Sequence, residues 1–288
     1  MDLALIVLLQ IVTSIAMLAL ISLGLAVIFG MMRVINLAHG EFLMLGAYAA
    51  ILATGHGVNL WVSMLLVAPV SVAIVGVVVE RLIIRRLYGR MIDTMLATWG
   101  LSLALIGLVT MILGNTNTGF SAPLGSIAIG GFRMSGYELF LILFTAVLLA
   151  VVFVVFRFTR LGLIARGTMQ NPDMAAALGI APSTVYAVTF AVGAALSGLA
   201  GALIAPLAGV VPTMGTAYIA KAFITVITGG AAILAGTISA SGLLGAVNTL
   251  GSFLATPVLG EVALLAAAIV LLRLLPRGIT GRFLKGSL

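Results

Sequence analysis

The chain has 288 residues, of which 63% are hydrophobic and 7% charged, and its mean hydropathy is +1.34. Soluble domains place about a quarter of their residues in Asp, Glu, Lys and Arg, so a soluble enzyme or binding module is excluded and an all-α integral membrane protein is expected. The formal charge of +7 comes without a single cysteine, which rules out disulfides and thiolate metal sites; the basic residues fall in short clusters that set membrane orientation rather than form a nucleic-acid footprint.

The start, Met1-Asp2-Leu3, lacks the basic n-region of a secretory signal, so the first apolar run is expected to remain as a helix. Apolar segments then follow in order: Ala4 to Gly30, Val34 to Thr54, Leu60 to Ile84, Thr94 to Leu113, Tyr137 to Phe156, Thr184 to Leu207, Ala217 to Leu234, Ile238 to Ala255 and Val258 to Leu275. At about 20 residues per crossing they predict a bundle of about 8–9 transmembrane helices, with no length left for a soluble domain. A single membrane domain over residues 1–288 is expected.

Three clusters test that count: Arg81, Arg85, Arg86 and Arg90; Arg157, Arg160 and Arg166; Arg273, Arg277, Arg282 and Lys285. Short loops rich in Arg and Lys stay on the cytoplasmic side, so an even number of crossings must separate consecutive clusters. The segments between them satisfy this and leave the C-terminus inside. If Val34 to Thr54 crosses fully, Arg33 is inside and the N-terminus outside; a broken or re-entrant helix there leaves about eight spans. Asn115 to Gly136, rich in Asn, Thr, Ser, Pro and Gly, reads as an external loop. Pro206, Pro212 and Gly215 read as a second external turn, and Thr256, Pro257 and Gly260 as a third.

Between Val34 and Thr54 the apolar pattern is interrupted by Asn36, His39 and Glu41. Polar side chains at membrane depth are costly unless they face protein, water or a substrate. On an unbroken helix Asn36, His39 and Gly40 share a face and Glu41 points away. A kink at Gly40 would instead put Glu41 in the first turn of a new helix, where free amides and the macrodipole favour a carboxylate. Two roles fit: hydrogen-bonding that holds a discontinuous segment, or lining of a translocation path or gate. Thr98 and Trp99 are further path candidates. A lone His without a second His or Cys is a poor metal ligand.

From Ala191 to Ala202 and from Gly229 to Ala246 the helices are built largely of Gly, Ala and Ser, with Gly193, Ser197 and Gly201 four apart. This permits close helix packing, and interfaces of this kind could also slide during a transport cycle. His56 falls in an external turn, Trp61 at an interface, and Lys221 near the outer side, where it snorkels, as does Glu261. Gly114 to Gly119 has the glycine spacing of a phosphate loop, but Phe120 and Ser121 stand where Lys and Ser or Thr are required. The histidines and acids supply no nucleophile with its base and no carboxylate pair, so an intramembrane enzyme is not expected.

The longest cytoplasmic loop, residues 157–183, contains RFTRLGLIARGTMQNPDMAAALGIA. Asn171 can cap a helix, Pro172 suits its first position, Asp173 complements its dipole and Gly179 can close it. A short helix from Pro172 to Leu178 is predicted, and its Met174 and Ala176 belong to a small, smooth face. That face suits either a groove in a partner or the membrane surface.

VINLAHGEFLMLGAYAA (Val34 to Ala50) resembles the signature of the permease subunits of high-affinity branched-chain amino acid ABC importers, a family that also includes urea and short-chain amide permeases. QNPDMAAALGI (Gln170 to Ile180), LATWGLSLAL (Leu96 to Leu105), Gly229-Gly230 and LLPRGITGRF (Leu274 to Phe283) continue the resemblance over nearly the whole chain. After Gly230 this chain reads AAILAGT, where many relatives have a GxGS-like continuation. The resemblance implies a bacterial or archaeal inner-membrane permease without its own ATPase site or bound cofactor. Its implied partners are a second related permease, two cytoplasmic ATPase subunits carrying ATP and magnesium, an extracytoplasmic solute-binding protein and membrane lipid, with no nucleic acid. It further implies that the Pro172 to Leu178 helix is the coupling helix that meets an ATPase, and it carries the family's motif positions onto Asn36, His39, Gly40 and Glu41, and onto Asn171, Pro172, Ala176 and Gly179. A branched-chain or related amino acid is the favoured cargo, urea or a short amide the alternative. An ion-coupled carrier working alone, with His39 and Glu41 as proton sites, is the competing class.

Overall fold

The computed structural model describes residues 2–129, 132–230 and 232–283. The apolar run at the start forms α1 (Asp2–Met32), which ends where Arg33 turns into the left-handed region at φ 52°. After an irregular stretch comes α2 (His39–Gly55). The next span is a composite: α3 (Leu60–Val62), capped by the Asn59 side chain, runs through a π-helical turn (Ser63–Val67) into α4 (Ala68–Leu82). Pro69 follows directly on the π-helical turn, where the regular hydrogen-bond ladder of the span is already interrupted. A 3-10 turn at Ile84–Leu87 leads to α5 (Met91–Leu113).

The loop after α5 contains a two-stranded antiparallel hairpin, β1 (Ser126–Ile129) with β2 (Phe132–Ser135), in which Ser126 pairs with Ser135 and Ile129 with Phe132. Then come α6 (Gly136–Phe158), α7 (Arg160–Gln170), α8 (Pro172–Ala177), α9 (Pro182–Ala208), α10 (Met214–Gly229), α11 (Ile233–Leu254), α12 (Pro257–Leu274) and α13 (Gly278–Phe283). Among the described residues, seven helical segments are long and apolar enough to cross a membrane. The two candidate segments outside that set are α2, at 17 residues, and α10, at 16. The first loses its opening residues to the irregular stretch, and the second is cut short at the Gly230 turn, φ 87°. Pro206 lies inside α9 and Gly215 inside α10, so the second expected turn is confined to the residues between these helices.

The chain divides into two compact units. One comprises residues 23–120 and 150–219 and is organised around α9, the most enclosed of the seven long helices. Val34, Phe42, Val72, Ile84 and Phe190 form one apolar cluster of this unit, and Met44, Tyr48, Val109, Ala205 and Val210 form another. Phe42 meets Phe190 edge-on at 6.0 Å. The loops following α5 and α9 are joined by reciprocal backbone bonds between Thr118 and Val210, 2.9 and 2.8 Å. The small residues of α9 serve this packing. A Cβ on Gly201 would lie 1.8 Å from the Leu43 carbonyl oxygen, so α2 and α9 touch backbone to backbone.

The other unit comprises residues 1–22, 121–149 and 220–288. Here Asn248 donates to Ser14 Oγ at 3.4 Å, and Lys221 forms an ion pair with Glu261 at 2.5 Å, so both charges expected to snorkel separately have a partner. The α10–α11 junction is closed by Thr280, whose hydroxyl donates to the Gly229 carbonyl at 2.7 Å and accepts from the Ala232 N–H at 3.2 Å. This gives the LLPRGITGRF stretch a local structural task. Arg282 and Lys285 of the last basic cluster lie outside the residues whose side chains are described.

Candidate functional site

The helix break falls between Arg33 and Ala38, before Gly40 and not at it. Residues 33–38 are non-helical, so Asn36 does not share a helical face with His39. His39 instead opens α2, and Glu41 stands in its first turn. This start is deep in the unit: Ser197, which meets His39, is about 22 Å along α9 from Pro182 at 1.5 Å per residue. At that depth the free amides of a helix start have no water to bond. Polar side chains serve the amides of the irregular stretch just before α2, which has no side-chain cap of its own. Asn36 Oδ1 accepts from the Ala38 N–H at 3.0 Å, and Thr98 Oγ1 accepts from the Leu37 N–H at 3.0 Å while donating to the Thr94 carbonyl at 2.8 Å. Ser197 Oγ lies 3.1 Å from His39 Nδ1 and 2.8 Å from the Gly193 carbonyl. A hydroxyl has one proton to give; given to Gly193, it leaves His39 Nδ1–H as the donor. The Glu41 carboxylate takes a hydrogen bond from the Ser102 hydroxyl.

Asn36, His39, Thr98 and Ser197 are fully buried and Glu41 is 1% exposed. Asn36 Nδ2 and Glu41 Oε2 are left without a hydrogen-bond partner. Gly40 has a different reason to be glycine from the kink anticipated: an added Cβ would come within 2.2 Å of the Gly215 carbonyl oxygen, because the starts of α2 and α10 cross there. Trp99 is 56% exposed, turned away from the group that its neighbour Thr98 joins. Ser102 and Ser197 were not singled out as partners by sequence reading. Serines in apolar helices are common, and only their meeting with α2 distinguishes these two. Glu80 was also passed over; it is fully buried and accepts a hydrogen bond from Tyr88 OH. Among the described residues no group of three or more His, Asp or Glu could hold a metal ion.

The second site is α8. Asn171 Oδ1 accepts from the Met174 N–H at 2.9 Å, Pro172 takes the first position and Asp173 the first turn. The helix stops one residue earlier than predicted, at Ala177, with Leu178 as the cap. Gly179, φ 84°, donates to the Ala176 carbonyl at 2.9 Å and Ile180 to Ala175 at 3.0 Å, the paired bonds of a Schellman ending. Ala175 is buried, while Met174, Ala176 and Leu178 are exposed. Before it, within the stretch expected as loop, α7 is an amphipathic helix; Thr159 caps it by accepting from the Gly162 N–H at 3.2 Å. One cavity places Arg81 and Arg85 beside Ser183 and Thr184 at the start of α9. The first basic cluster and the end of the α7–α8 segment therefore share one end of the unit.

Long apolar helices, a buried polar break before α2 and a short capped helix exposed between two spans define a polytopic α-helical membrane protein. The chain belongs to the family described as branched-chain amino acid transport system / permease component, whose model matches residues 7–275. Similar proteins include the high-affinity branched-chain amino acid transport system permease protein LivH of Salmonella typhimurium, 28% identical over 92% of this chain and 91% of the relative. BraD of Pseudomonas aeruginosa, named likewise, is 30% identical over 92% of this chain and 91% of its own. A probable LivH of Methanocaldococcus jannaschii is 28% identical over 92% and 89%. No solved structure matches the chain.

Proposed function

We propose that this chain is the membrane-spanning permease subunit of an ATP-binding-cassette importer of the inner membrane, moving branched-chain or related amino acids delivered by an extracytoplasmic binding protein. In this reading the chain pairs with a second related permease, and α8 docks into a cytoplasmic ATPase whose closure drives the spans between outward- and inward-open arrangements. The C-terminus is cytoplasmic, on the same side as α8. The cargo assignment is supported by the transport system after which LivH and BraD are named.

The observation that carries the reading is α8 itself: six residues, capped at both ends, with Met174, Ala176 and Leu178 exposed. A helix this short gains little from propagation, so its caps hold it in shape for a purpose other than local stability. The polar group at the start of α2 is assigned a holding role: it satisfies backbone amides of the irregular stretch that leads into a helix beginning inside the membrane.

The test is Ala176→Arg in the assembled transporter. A bulky charge on the docking face should abolish ATP-dependent uptake while the chain still accumulates in the membrane. Undiminished uptake would remove α8 from the mechanism. Calorimetry on the partnering binding protein should show a branched-chain amino acid, and not urea or an amide, as its ligand.

A further inference from the structure

Within the unit organised around α9, a cavity of about 340 Å³ is lined by Arg33, Tyr88, Arg90, Thr94 and Tyr186. It opens at the level where the spanning helices end: α1 stops at Met32, α4 at Leu82, and α5 starts at Met91. Tyr186 is within about 6 Å of the start of α9 at helical rise. This is the depth of a bilayer's phosphate layer, where the hydrocarbon-spanning segments give way to charged loops.

The charges facing the cavity are unequal. Arg90 is paired with Asp93 at 2.5 Å, and the buried Glu80 accepts from Tyr88 OH. Among the described residues the exposed Arg33 guanidinium has neither a hydrogen bond nor an ion-pair partner. Its backbone is also one of only two non-glycine positions with positive φ among those residues, at 52°. A strained backbone that presents an unpaired cation to a cavity has a feature beyond packing to account for it.

We infer that this cavity holds the phosphate of an anionic phospholipid, with Arg33 as its principal ligand and Arg90 as a second, shared with Asp93. Basic pockets between helix ends on the cytoplasmic side suit such headgroups, and guanidinium matches phosphate by charge-assisted, bidentate bonding. The site is independent of the transport cycle proposed above, because lipid occupancy needs neither ATPase nor cargo.

The experiment titrates the purified full chain in detergent with phosphatidylglycerol and counts bound lipid by native mass spectrometry. Arg33→Gln should weaken retention about fivefold, the share of one cation near a phosphate layer, while Arg86→Gln, an equal change of charge on the neighbouring loop, leaves it as in the parent. Arg33→Gly keeps the left-handed backbone without strain and should fold normally yet lose the lipid to the same extent. Equal loss in Arg33→Gln and Arg86→Gln would reduce the effect to bulk charge and overturn the site. So would displacement of the lipid by inorganic phosphate at concentrations no higher than the lipid's own, which would assign the cavity to a free anion.

Discussion

Replacing Gly201 by Ala tests whether α2 is held by direct backbone contact with α9. The added methyl carbon would lie 1.8 Å from the Leu43 carbonyl oxygen, 2.5 Å from its carbon and 2.8 Å from its Cα, all of them backbone atoms with no rotamer to escape into. Ordinary contact begins at 3.4 Å, so the helices must part by 1.6 Å along that line. Overpacking of this kind costs about 1–3 kcal/mol, and gaps of about 1 Å forfeit a quarter to a half of each dispersion contact along the seam. The bond between Ser197 and His39, now 3.1 Å, lies on the same seam and adds about 1 kcal/mol when stretched out of range. A loss of about 3–4 kcal/mol is expected, some two to three decades in the folded population. Unfolding in mixed micelles by added SDS, followed by circular dichroism, measures it. The control is Gly100→Ala on α5, where an added Cβ meets nothing within 4 Å, and a change within about 0.5 kcal/mol is expected. Equal midpoints for the two variants would refute the contact.

Other consequences are checked more simply. Ser197→Ala should cost about 1–2 kcal/mol by depriving buried His39 of one bond, read by the same SDS titration. Asn171→Ala should remove about 1 kcal/mol from the α8 cap and lower the ratio of uptake to ATP hydrolysis, with Asn171→Asp restoring it. Tyr88 lies in the loop between spans, and burial first, then its bond to Glu80, hold its phenol above the ordinary value of 10.0. The sign follows: the unfolded chain ionises this phenol above pH 10 while the folded chain keeps its proton, so stability is full below pH 10 and declines above it. Tyr88→Phe should shallow that alkaline slope.

What could be read from the residues and what could not divide along the range of the interactions. The ends of α8 were legible because Asn171, Pro172 and Gly179 act on backbone within a few positions of themselves. The spans were legible because hydrocarbon imposes a length and a composition. The polar residues before α2 were visible as an anomaly, but their arrangement was not. Ser197 answers His39 from 158 positions away and Thr98 answers Leu37 from 61, and neither hydroxyl is unusual in its own helix. Gly40 looked like a flexible joint because its need for Gly215 is not local. The amphipathic α7 was missed because glycines at 162 and 167 and a row of arginines read as loop, whereas Gly162 is required by the Phe156 carbonyl packed against it.

Glu41 decides between the two roles open to the α2 group. Its carboxylate is 1% exposed, bonded to Ser102 and left with one oxygen unanswered, an arrangement that costs free energy if the group only fills space. Glutamine has nearly the same shape, keeps an oxygen for the Ser102 hydroxyl, and cannot ionise. If the group holds the start of α2, Glu41→Gln should be at least as stable as the parent, because an amide avoids the cost of burying an unpaired carboxylate, and uptake should stay within about threefold, the scale of a change below 1 kcal/mol. If the carboxylate instead meets cargo or a proton during transport, stability would again be retained but uptake would collapse by two orders of magnitude or more, the usual loss on removing an acid or base. Parallel measurement of unfolding and of uptake in proteoliposomes containing the whole transporter separates the outcomes. The holding role requires the first.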